Sequence, residues 1–360
     1  MITLVAASDE PIDLLDSMDH WVQVGGSEGS FVLEDGVLSL HAAELIPGEL
    51  LTKDDYENFE LSFEFNVASW RATGLYFSAP RNRQYRAGLE LEISGHPSEK
   101  DSPYTTGAIY RRLAPLANAR NNPGEWNTCH IRMDWPHLYV TMNEQVVQDV
   151  NLEDVGLGHV LRRGAIGFEN FGQDALQVRN MVLTPLPDSE NGIILAGDED
   201  LTGWTVAPGD ATWSGGDGVI RGSDGDGHLV HEAVSRDFDF RCYVRTSAAT
   251  ANGGILFRWP EDDSHRGHEV QVYDVAGAVM PTGSIYDIVR SDDSLIRPGE
   301  WMLIQIVARG PRVTTYIDGR KAAETLDSVT RLNPGRIAVQ MHSQGWVEYK
   351  DLVLVPKDGE

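Results

Sequence analysis

The chain has 360 residues, of which 41% are hydrophobic and 23% charged, as is typical of a globular protein with a packed core. A single core rarely grows to this length, so we expect two domains. The formal net charge of -26 is spread over both halves, because residues 1–187 carry 27 acidic and 13 basic side chains and residues 188–360 carry 28 and 16. Such an acidic surface repels phosphates and anionic membranes, which argues against nucleic-acid partners and favours neutral or cationic ligands.

The sequence contains no segment typical of membrane insertion, because no apolar run approaches the roughly 20 residues that span a bilayer. Its first ten residues have no basic segment and only a short apolar run, unlike a signal peptide. The sequence as written therefore predicts a cytoplasmic protein, or a secreted or periplasmic one if a leader has been removed. Cys129 and Cys242 are the only cysteines. They stand among apolar residues in different halves, which predicts two buried free thiols.

Short sequence blocks of the first half recur in the same order in the second half. In chain order, the matching blocks are 35–38 with 217–220, 59–61 with 238–240, 106–110 with 282–286, 123–126 with 298–301, and 179–183 with 350–354. Ordered matches along each half indicate a duplicated domain rather than a shared motif. The segment 185–192 is rich in Pro, Gly and polar residues and separates the copies, so we predict domains at 1–187 and 188–360.

Strands are predicted wherever apolar and polar residues alternate. This pattern runs through 59–67 in the first copy and 238–245 in the second. Asp318-Gly319, between two such runs, predicts a tight hairpin turn. Many short strands without alternating helices predict an all-β fold, made of two tandem antiparallel β-sandwiches of the jelly-roll type.

One pair of corresponding strands carries polar side chains on a single face. In 88–93 these are Glu90 and Glu92, and in 267–274 they are Glu269, Gln271 and Tyr273. Residues two apart on a strand lie about 6.5–7 Å apart. Two carboxylates at this distance can act as an acid–base pair or share a cation. The alternative, which the spacing alone favours, is the solvated face of an amphipathic strand.

Histidines recur at spacings that resemble metal sites. His228 and His231, like His265 and His268, are three residues apart, which on a strand places the two side chains on opposite faces. We therefore expect surface or loop histidines there. His342 differs, because alternation places it on the same strand face as Gln340.

Five blocks of the second half resemble, in their order, the 3-keto-disaccharide hydrolase domain family: 267–274, 281–286, 298–301, 335–342 and 347–352. The first half keeps the blocks at 106–110, 124–127 and 178–181. It has Glu169 and Phe171 where the second half has Gln340 and His342, so the first copy is interpreted as diverged. The resemblance implies a concanavalin A-like jelly roll whose concave face holds the polar strand residues.

The resemblance also implies an activity, the cleavage of glycosides already oxidised to a ketone at carbon 3, by hydrolysis or by elimination at carbon 1. The implied catalytic residues are Glu269 or His342 as base and Asp274 as a group that orients a histidine or holds a cation. Arg258, or a divalent cation in its place, would stabilise the enolate oxygen. The remaining residues expected to contact the sugar are Gln271, Tyr273, Tyr286, Gln340, Glu90, Glu92 and Tyr110. Because fold does not fix function, the alternative is a non-catalytic, lectin-like tandem module that binds carbohydrate. The oligomeric state stays open.

Overall fold

The computed structural model describes residues 10–41, 46–81, 87–96, 102–170, 176–189, 191–195, 201–260, 267–292, 298–326 and 333–357. The chain forms two compact units that divide after Ser189. Apart from a short 3-10 turn at Met18–His20, the elements assigned within these ranges are β-strands. Within the same ranges, no helix has the length and apolar character needed to cross a bilayer.

The first domain contributes strands that pair in antiparallel fashion. They are β1 (Ile12–Asp13), β2 (Trp21–Gly25), β3 (Phe31–Glu34), β4 (Val37–Leu40), β5 (Gly48–Thr52), β6 (Asn58–Val67), β7 (Ala72–Ala79), β8 (Leu89–Ser94), β9 (Asn127–Asp134), β10 (His137–Met142), β11 (Gln145–Asn151), β12 (Ala165–Asn170) and β13 (Leu176–Leu186). One sheet has the order β11-β10-β9-β6-β13-β4-β3, with β1 on β13, and the other has the order β2-β5-β12-β7-β8.

The core of the first domain lies between these two sheets. The apolar residues of the alternating run on β6, among them Phe59, Phe63 and Phe65, are at most 2% exposed. The Phe63 ring contacts Phe168 of the facing sheet edge-on, with centroids 6.4 Å apart. The predicted alternation and the predicted sandwich are therefore both confirmed.

The second domain is also built from β-strands. They are β14 (Ile193–Ile194), β15 (Trp204–Val206), β16 (Thr212–Gly216), β17 (Val219–Ser235), β18 (Phe238–Thr246), β19 (Gly253–Trp259), β20 (His268–Val272), β21 (Met302–Arg309), β22 (Arg312–Ile317), β23 (Arg320–Leu326) and β24 (Gly335–Pro356). The predicted hairpin joins β22 to β23, where Asp318 and Gly319 have φ values of 46° and 71°.

Two long strands, β17 and β24, connect the layers of the second sandwich. The second half of β24 pairs with β18, whereas its first half pairs with β19. Both halves pair with β17. The two layers are therefore hydrogen-bonded into one continuous sheet that folds over its own core, and the apolar residues of β18, including Phe238 and Phe240, fill the space between them.

Both cysteines have the environment that the sequence predicts. Cys129 on β9 and Cys242 on β18 are buried and free. Burial raises the pKa of each thiol well above its usual value, and for Cys242 the charge of Asp351 raises it further, which keeps both sulfurs protonated and unreactive.

Candidate functional site

The polar strand residues of the second domain meet on one side of its folded sheet. Here β15, the second half of β17, the first half of β24, β19 and β20 lie side by side in that order. Side chains directly opposite one another on antiparallel strands project to the same side. We call the side that faces away from the core the second-domain polar face, and its polar members are His228, Gln340, Gln271 and Glu269.

A row of neutral polar groups crosses this face. His228 pairs with Gln340, Gln340 with Gly254, and Gly254 with Gln271. The Nε2 atoms of Gln340 and His228 are 3.2 Å apart, and Gln271 Nε2 donates to Asn252 Oδ1 at 2.9 Å. These side chains are buried, at 3%, 7% and 4% exposure for His228, Gln340 and Gln271. The row offers amide and imidazole groups at fixed positions.

Glu269 brings a carboxyl group to this row. Glu269 lies opposite Leu256, in the row next to that of Gly254. Its carboxyl group nevertheless bends over Gly254: a Cβ atom added to Gly254 would lie 2.7 Å from Glu269 Oε1. The backbone of Glu269 is held by the Tyr286 N–H, which donates to its carbonyl at 2.8 Å. A half-buried carboxylate beside neutral amides is suited to removing a proton from a ligand that the amides hold.

A tyrosine from the other layer supports the middle of the row. Tyr349 is fully buried on the second half of β24, and its hydroxyl donates to Gln340 O at 2.6 Å. The Tyr349 hydroxyl oxygen in turn accepts from the Gly254 N–H at 3.3 Å. Burial raises the pKa of Tyr349, so the phenol stays protonated and continues to donate. These two hydrogen bonds of Tyr349 hold the strands that carry Gln340 and Gly254 from the core side of the sheet.

An apolar patch adjoins the polar row on the same side of the sheet. Val230, Leu256, Trp259 and Ala338 are buried there as a cluster separate from the main core. The Trp259 ring lies 5.1 Å from the His228 ring. A surface that is polar in one row and apolar in the next matches a pyranose ring, which presents hydroxyl groups and C–H groups on different sides.

His342 lies at the exposed rim of this face. It is opposite Asp226, its Nδ1 atom is 3.0 Å from Asp226 Oδ1, and its side chain is 55% exposed. Its backbone N–H donates to Asn252 O at 2.8 Å. Met341 between His342 and Gln340 is in the core, so the two polar residues share a strand face as predicted.

Arg258 does not lie with this group, and its predicted place facing an oxyanion is wrong. Its Nε atom donates to Arg236 O at 3.0 Å and its Nη2 atom to Gly310 O at 2.8 Å, in the turns after β17 and β21. The cause is a bulge in β19, where the register against β24 shifts between Leu256 and Trp259 and Arg258 has a φ of 53°. A bulge breaks the alternation that would otherwise place Arg258 on the polar face.

Three other residues expected at the site lie beside β20 or beyond its end. The Tyr273 N–H donates to Thr282 Oγ1 at 2.8 Å, and the Asp274 N–H lies 3.4 Å from Ala249 O. Tyr286 is 51% exposed. These contacts fix the loop at the edge of the polar face.

The described histidines of the two spaced pairs are not on the surface, contrary to expectation. His228, His231 and His268 are at most 7% exposed. Each packs on an aromatic ring, and His268 stacks on Phe257 with centroids 5.2 Å apart. His265 lies outside the described residues. His228 is a site residue that the sequence analysis missed, because only the register of β17 against β24 places it beside Gln340.

The equivalent surface of the first domain carries a different set of side chains. Across β5, β12, β7 and β8, Glu169 lies opposite Glu49, and Tyr76 lies opposite Glu90. Glu92 lies opposite Gly74. We call this surface the first-domain polar face. Its carboxyl groups are not solvated, because Glu90, Glu92 and Glu169 are at most 7% exposed, so the expectation of a solvated strand face is wrong.

Two of these carboxyl groups share a proton with each other. Glu169 Oε2 accepts a short hydrogen bond from the Tyr76 hydroxyl. The side chains of Glu90 and Glu169 are also hydrogen-bonded, which requires a proton between them. Burial raises the pKa of both groups, and for Glu90 the negative charges of Glu169 and Glu92 raise it further. Glu90 is therefore the donor of the pair.

The other two carboxyl groups of this face, Glu92 and Glu49, also have raised pKa values. Burial, together with the charge of Glu169, raises the pKa of Glu92 to about 8 and that of Glu49 to about 7. The first-domain polar face thus holds a partly protonated carboxyl cluster near neutral pH. Glu90 and Glu92 were predicted from the sequence, whereas Glu49, which lies on a strand distant in the sequence, was missed.

One edge of this face is formed by the loop that contains Tyr110. The Tyr110 N–H donates to Glu90 O at 2.9 Å. Its side chain is hydrogen-bonded to Arg111, and burial together with the charges of Glu92 and Glu90 raises its pKa, which places the phenol close to the carboxyl cluster. Tyr104, 55% exposed, contacts the Tyr110 ring edge-on at 5.5 Å.

The described residues contain no ready-made metal centre. Within the described ranges, no group of three or more His, Cys, Asp or Glu side chains is arranged to hold a metal ion.

Comparison with known proteins gives a family and a set of similar folds. Residues 10–184 and 193–355 each match the 3-keto-alpha-glucoside-1,2-lyase-like domain. No curated protein sequence matches the chain. Two solved structures from Parabacteroides distasonis, whose assignment as glycosyl hydrolases is provisional, are similar at 15% and 21% identity, each with a TM-score of 0.43; they cover 50% and 49% of this chain and 96% and 100% of their own. A carbohydrate-binding module from Bacillus subtilis is similar at 20% identity and a TM-score of 0.34, covering 46% of this chain and 98% of its own.

Proposed function

Because the chain belongs to the 3-keto-alpha-glucoside-1,2-lyase-like domain family, we propose that its second domain cleaves glycosides whose sugar carries a ketone at carbon 3. The observation that supports this proposal is the position of the Glu269 carboxyl group over Gly254, beside the neutral amides of Gln271 and Gln340. A base flanked by hydroxyl-binding groups is what the reaction requires.

The ketone makes the proton on carbon 2 acidic, and Glu269 removes it. The electron pair of the broken C2–H bond forms a double bond between carbons 1 and 2, and the C1–O bond breaks with its electrons on the leaving oxygen, which then takes a proton. The products are an enone and the free aglycone. If water adds, its hydroxyl joins carbon 1 and its proton joins carbon 2, so the overall reaction becomes hydrolysis.

Negative charge develops on the carbon 3 oxygen during proton removal and needs a donor. Arg258 is committed to backbone carbonyls elsewhere. The donors on the second-domain polar face are the amide groups of Gln271 and Gln340 and the ring of His228. Tyr349 positions two of the strands that carry them by holding the backbone at Gln340 and Gly254.

A chromogenic substrate tests the proposal. The chain is incubated with p-nitrophenyl 3-keto-glucoside, and release of p-nitrophenol is followed by absorbance, with the unoxidised glucoside as a second substrate that should stay intact. Glu269→Gln should lower kcat/KM about 10²–10⁴-fold, the range for loss of a general base. Glu232→Gln, which changes an exposed carboxylate on β17, is the matched control and should leave the rate unchanged.

Two results would overturn the proposal. If the wild-type chain binds the 3-keto-glucoside by calorimetry but releases no aglycone, the protein is a carbohydrate-binding module instead. If Glu269→Gln cleaves at the wild-type rate, the base lies elsewhere.

The divalent cation that the sequence analysis offered as an alternative stabiliser is tested separately. Dialysis against EDTA should leave the rate unchanged if amide donors suffice. A loss of activity that Ca²⁺ or Mn²⁺ restores would assign the role to a cation.

A further inference from the structure

The first-domain polar face contains more acid than its described surroundings neutralise. Glu49, Glu90, Glu92 and Glu169 face the same side, and the cation whose charge acts on this cluster is Arg111, which lowers the pKa of Glu90 from the edge of the face. The corresponding positions of the second domain hold His228, Glu269, Gln271 and Gln340. At three of these positions the first copy therefore has a carboxyl group, from Glu49, Glu92 and Glu169, where the second copy has a histidine or a glutamine.

Among the described residues, Glu92 is a member of this cluster whose carboxyl group has no hydrogen-bond partner. Its residue is 5% exposed, and none of the described residues hydrogen-bonds its carboxylate. It points to the same side as Glu90, because Leu91 between them is in the core, and the opposite residue Gly74 has no side chain to meet it. A buried carboxylate without a donor costs free energy, on the order of 1–3 kcal/mol or more, which a donating ligand would recover.

The geometry points to an amino sugar as the ligand of the first-domain polar face, with its ammonium group received by Glu92. An ammonium group brings three N–H donors and a positive charge to a carboxyl group that lacks both. The sugar hydroxyls would meet the Glu90–Glu169 pair, which can both donate and accept. At the edge, the exposed Tyr104 ring offers a face on which a cation or a sugar ring packs, whereas Arg111 already lies over the Tyr110 ring, 5.3 Å from its centroid.

Two other ligand classes fit these residues less well. A metal ion would need several carboxylates turned toward one point, whereas Glu169 is already bonded to Tyr76 and Glu90. A neutral sugar would leave the ionised fraction of the cluster without a counter-charge. This site lies in the first domain and the proposed lyase site lies in the second, so one assignment can be wrong while the other holds.

Binding should release protons near neutral pH. An ammonium group favours the ionised form of the carboxyl group that receives it, and Glu92 is partly protonated at pH 7. The other titratable groups facing the cluster are Tyr76 from β7, Tyr110 and Arg111 from the edge loop, and the Glu90–Glu169 pair. Tyr76 stays protonated because burial raises its pKa, so the released protons come from the carboxyl groups.

Calorimetric titration of the whole chain at pH 7 tests this inference with three sugars: glucosamine, glucose and N-acetylglucosamine. Glucosamine should bind at least tenfold more tightly than the other two, which lack the positive charge. Titrations in phosphate and in HEPES, whose ionisation enthalpies differ and neither of which contains a primary ammonium group, should give different apparent enthalpies because protons are released.

Variants locate the site. Glu92→Gln should weaken glucosamine binding about tenfold, and Glu49→Gln, three strands away on β5, should weaken it less. Glu34→Gln, which removes an exposed carboxylate on β3 in the other sheet, is the control for net charge and should have no effect. Circular dichroism shows whether each variant is folded. If Glu92→Gln is not folded, Glu92→Asp, which withdraws the carboxylate by one methylene, should also weaken binding and decides the matter. Equal affinity for glucosamine and glucose, no measurable glucosamine binding, or binding unaffected by the folded Glu92 variant would each overturn the inference.

Discussion

The two domains place different side chains on the same sheet positions. Glu90 of the first domain and Glu269 of the second both bend over a glycine on the neighbouring strand. Around this shared carboxyl group, the first domain has further acids and the second has amides and an imidazole. At these positions the two copies differ in the charge of their side chains rather than in their backbone. The first copy, interpreted from the sequence as diverged, has an organised polar face of its own.

The largest expected effect concerns the bulge that both domains contain. The residue with left-handed backbone is Ser78 in the first domain and Arg258 in the second, with φ values of 51° and 53°. Arg258→Ser should lower the free energy of unfolding of the second domain by about 3 kcal/mol, because the buried Asp237 carboxylate loses an ion-pair partner and the carbonyls of Arg236 and Gly310 lose their donor. Urea denaturation measures this. A change below about 0.5 kcal/mol would show that the tie is not structural.

The shared glycine offers the next test. Gly254→Ala would place a Cβ atom 2.7 Å from Glu269 Oε1 and displace the carboxyl group. We expect kcat/KM for the 3-keto-glucoside to fall about 10–100-fold, since a displacement near 1 Å costs about this much. Gly216→Ala is the matched control, as a Cβ atom there meets nothing within 4 Å. Equal rates for both variants would contradict the assignment of Glu269.

A pH series separates the acidic face from the neutral one. Glu92 has a pKa raised from 4.5 to about 8, so the folded domain binds more protons than the unfolded chain between these values, and stability falls as pH rises through this window. Glu92→Gln removes that loss and should stabilise the first domain at pH 8 by about 2 kcal/mol, roughly 5 °C in Tm.

Scanning calorimetry at pH 5 and pH 8 measures this difference. The gain should be absent at pH 5 and absent in Glu34→Gln at either pH. Destabilisation by Glu92→Gln at pH 8 would show that Glu92 is ionised and paired instead.

The smallest effect is expected at the rim. His342 and Asp226 are both more than half exposed, so their pair contributes at most about 1 kcal/mol. His342→Ala should change stability by less than this and lower kcat/KM less than tenfold. A loss as large as that of Glu269→Gln would make His342 the base.

Much of the fold follows from local sequence. The alternation on β6 and β18 and the Asp318-Gly319 turn each depend on neighbouring residues, so reading along the chain is enough to predict them. The pairing of Glu90 with Glu92 on one face follows from the same period of two. Their burial does not, because it depends on Tyr76, Glu169 and the edge loop, which lie on other parts of the chain.

The errors at the site have the same origin. His228 lies beside Gln340 only because β17 and β24 align in one register. Arg258 leaves the polar face because one inserted residue reverses the alternation, and nothing in its neighbouring residues marks the bulge. Side-chain chemistry can be assigned from a strand's own sequence, whereas the meeting of two strands cannot.

The two continuous strands of the second domain give it a property of its own. Since β17 and β24 each belong to both layers, and the Tyr349 hydroxyl is bonded to the backbone of the opposite layer, neither layer can open while the other stays closed. Backbone amides on the two sides should therefore exchange with deuterium in a single cooperative step. A sugar that slows exchange at Gln340 would slow it equally at Val355, on the far layer.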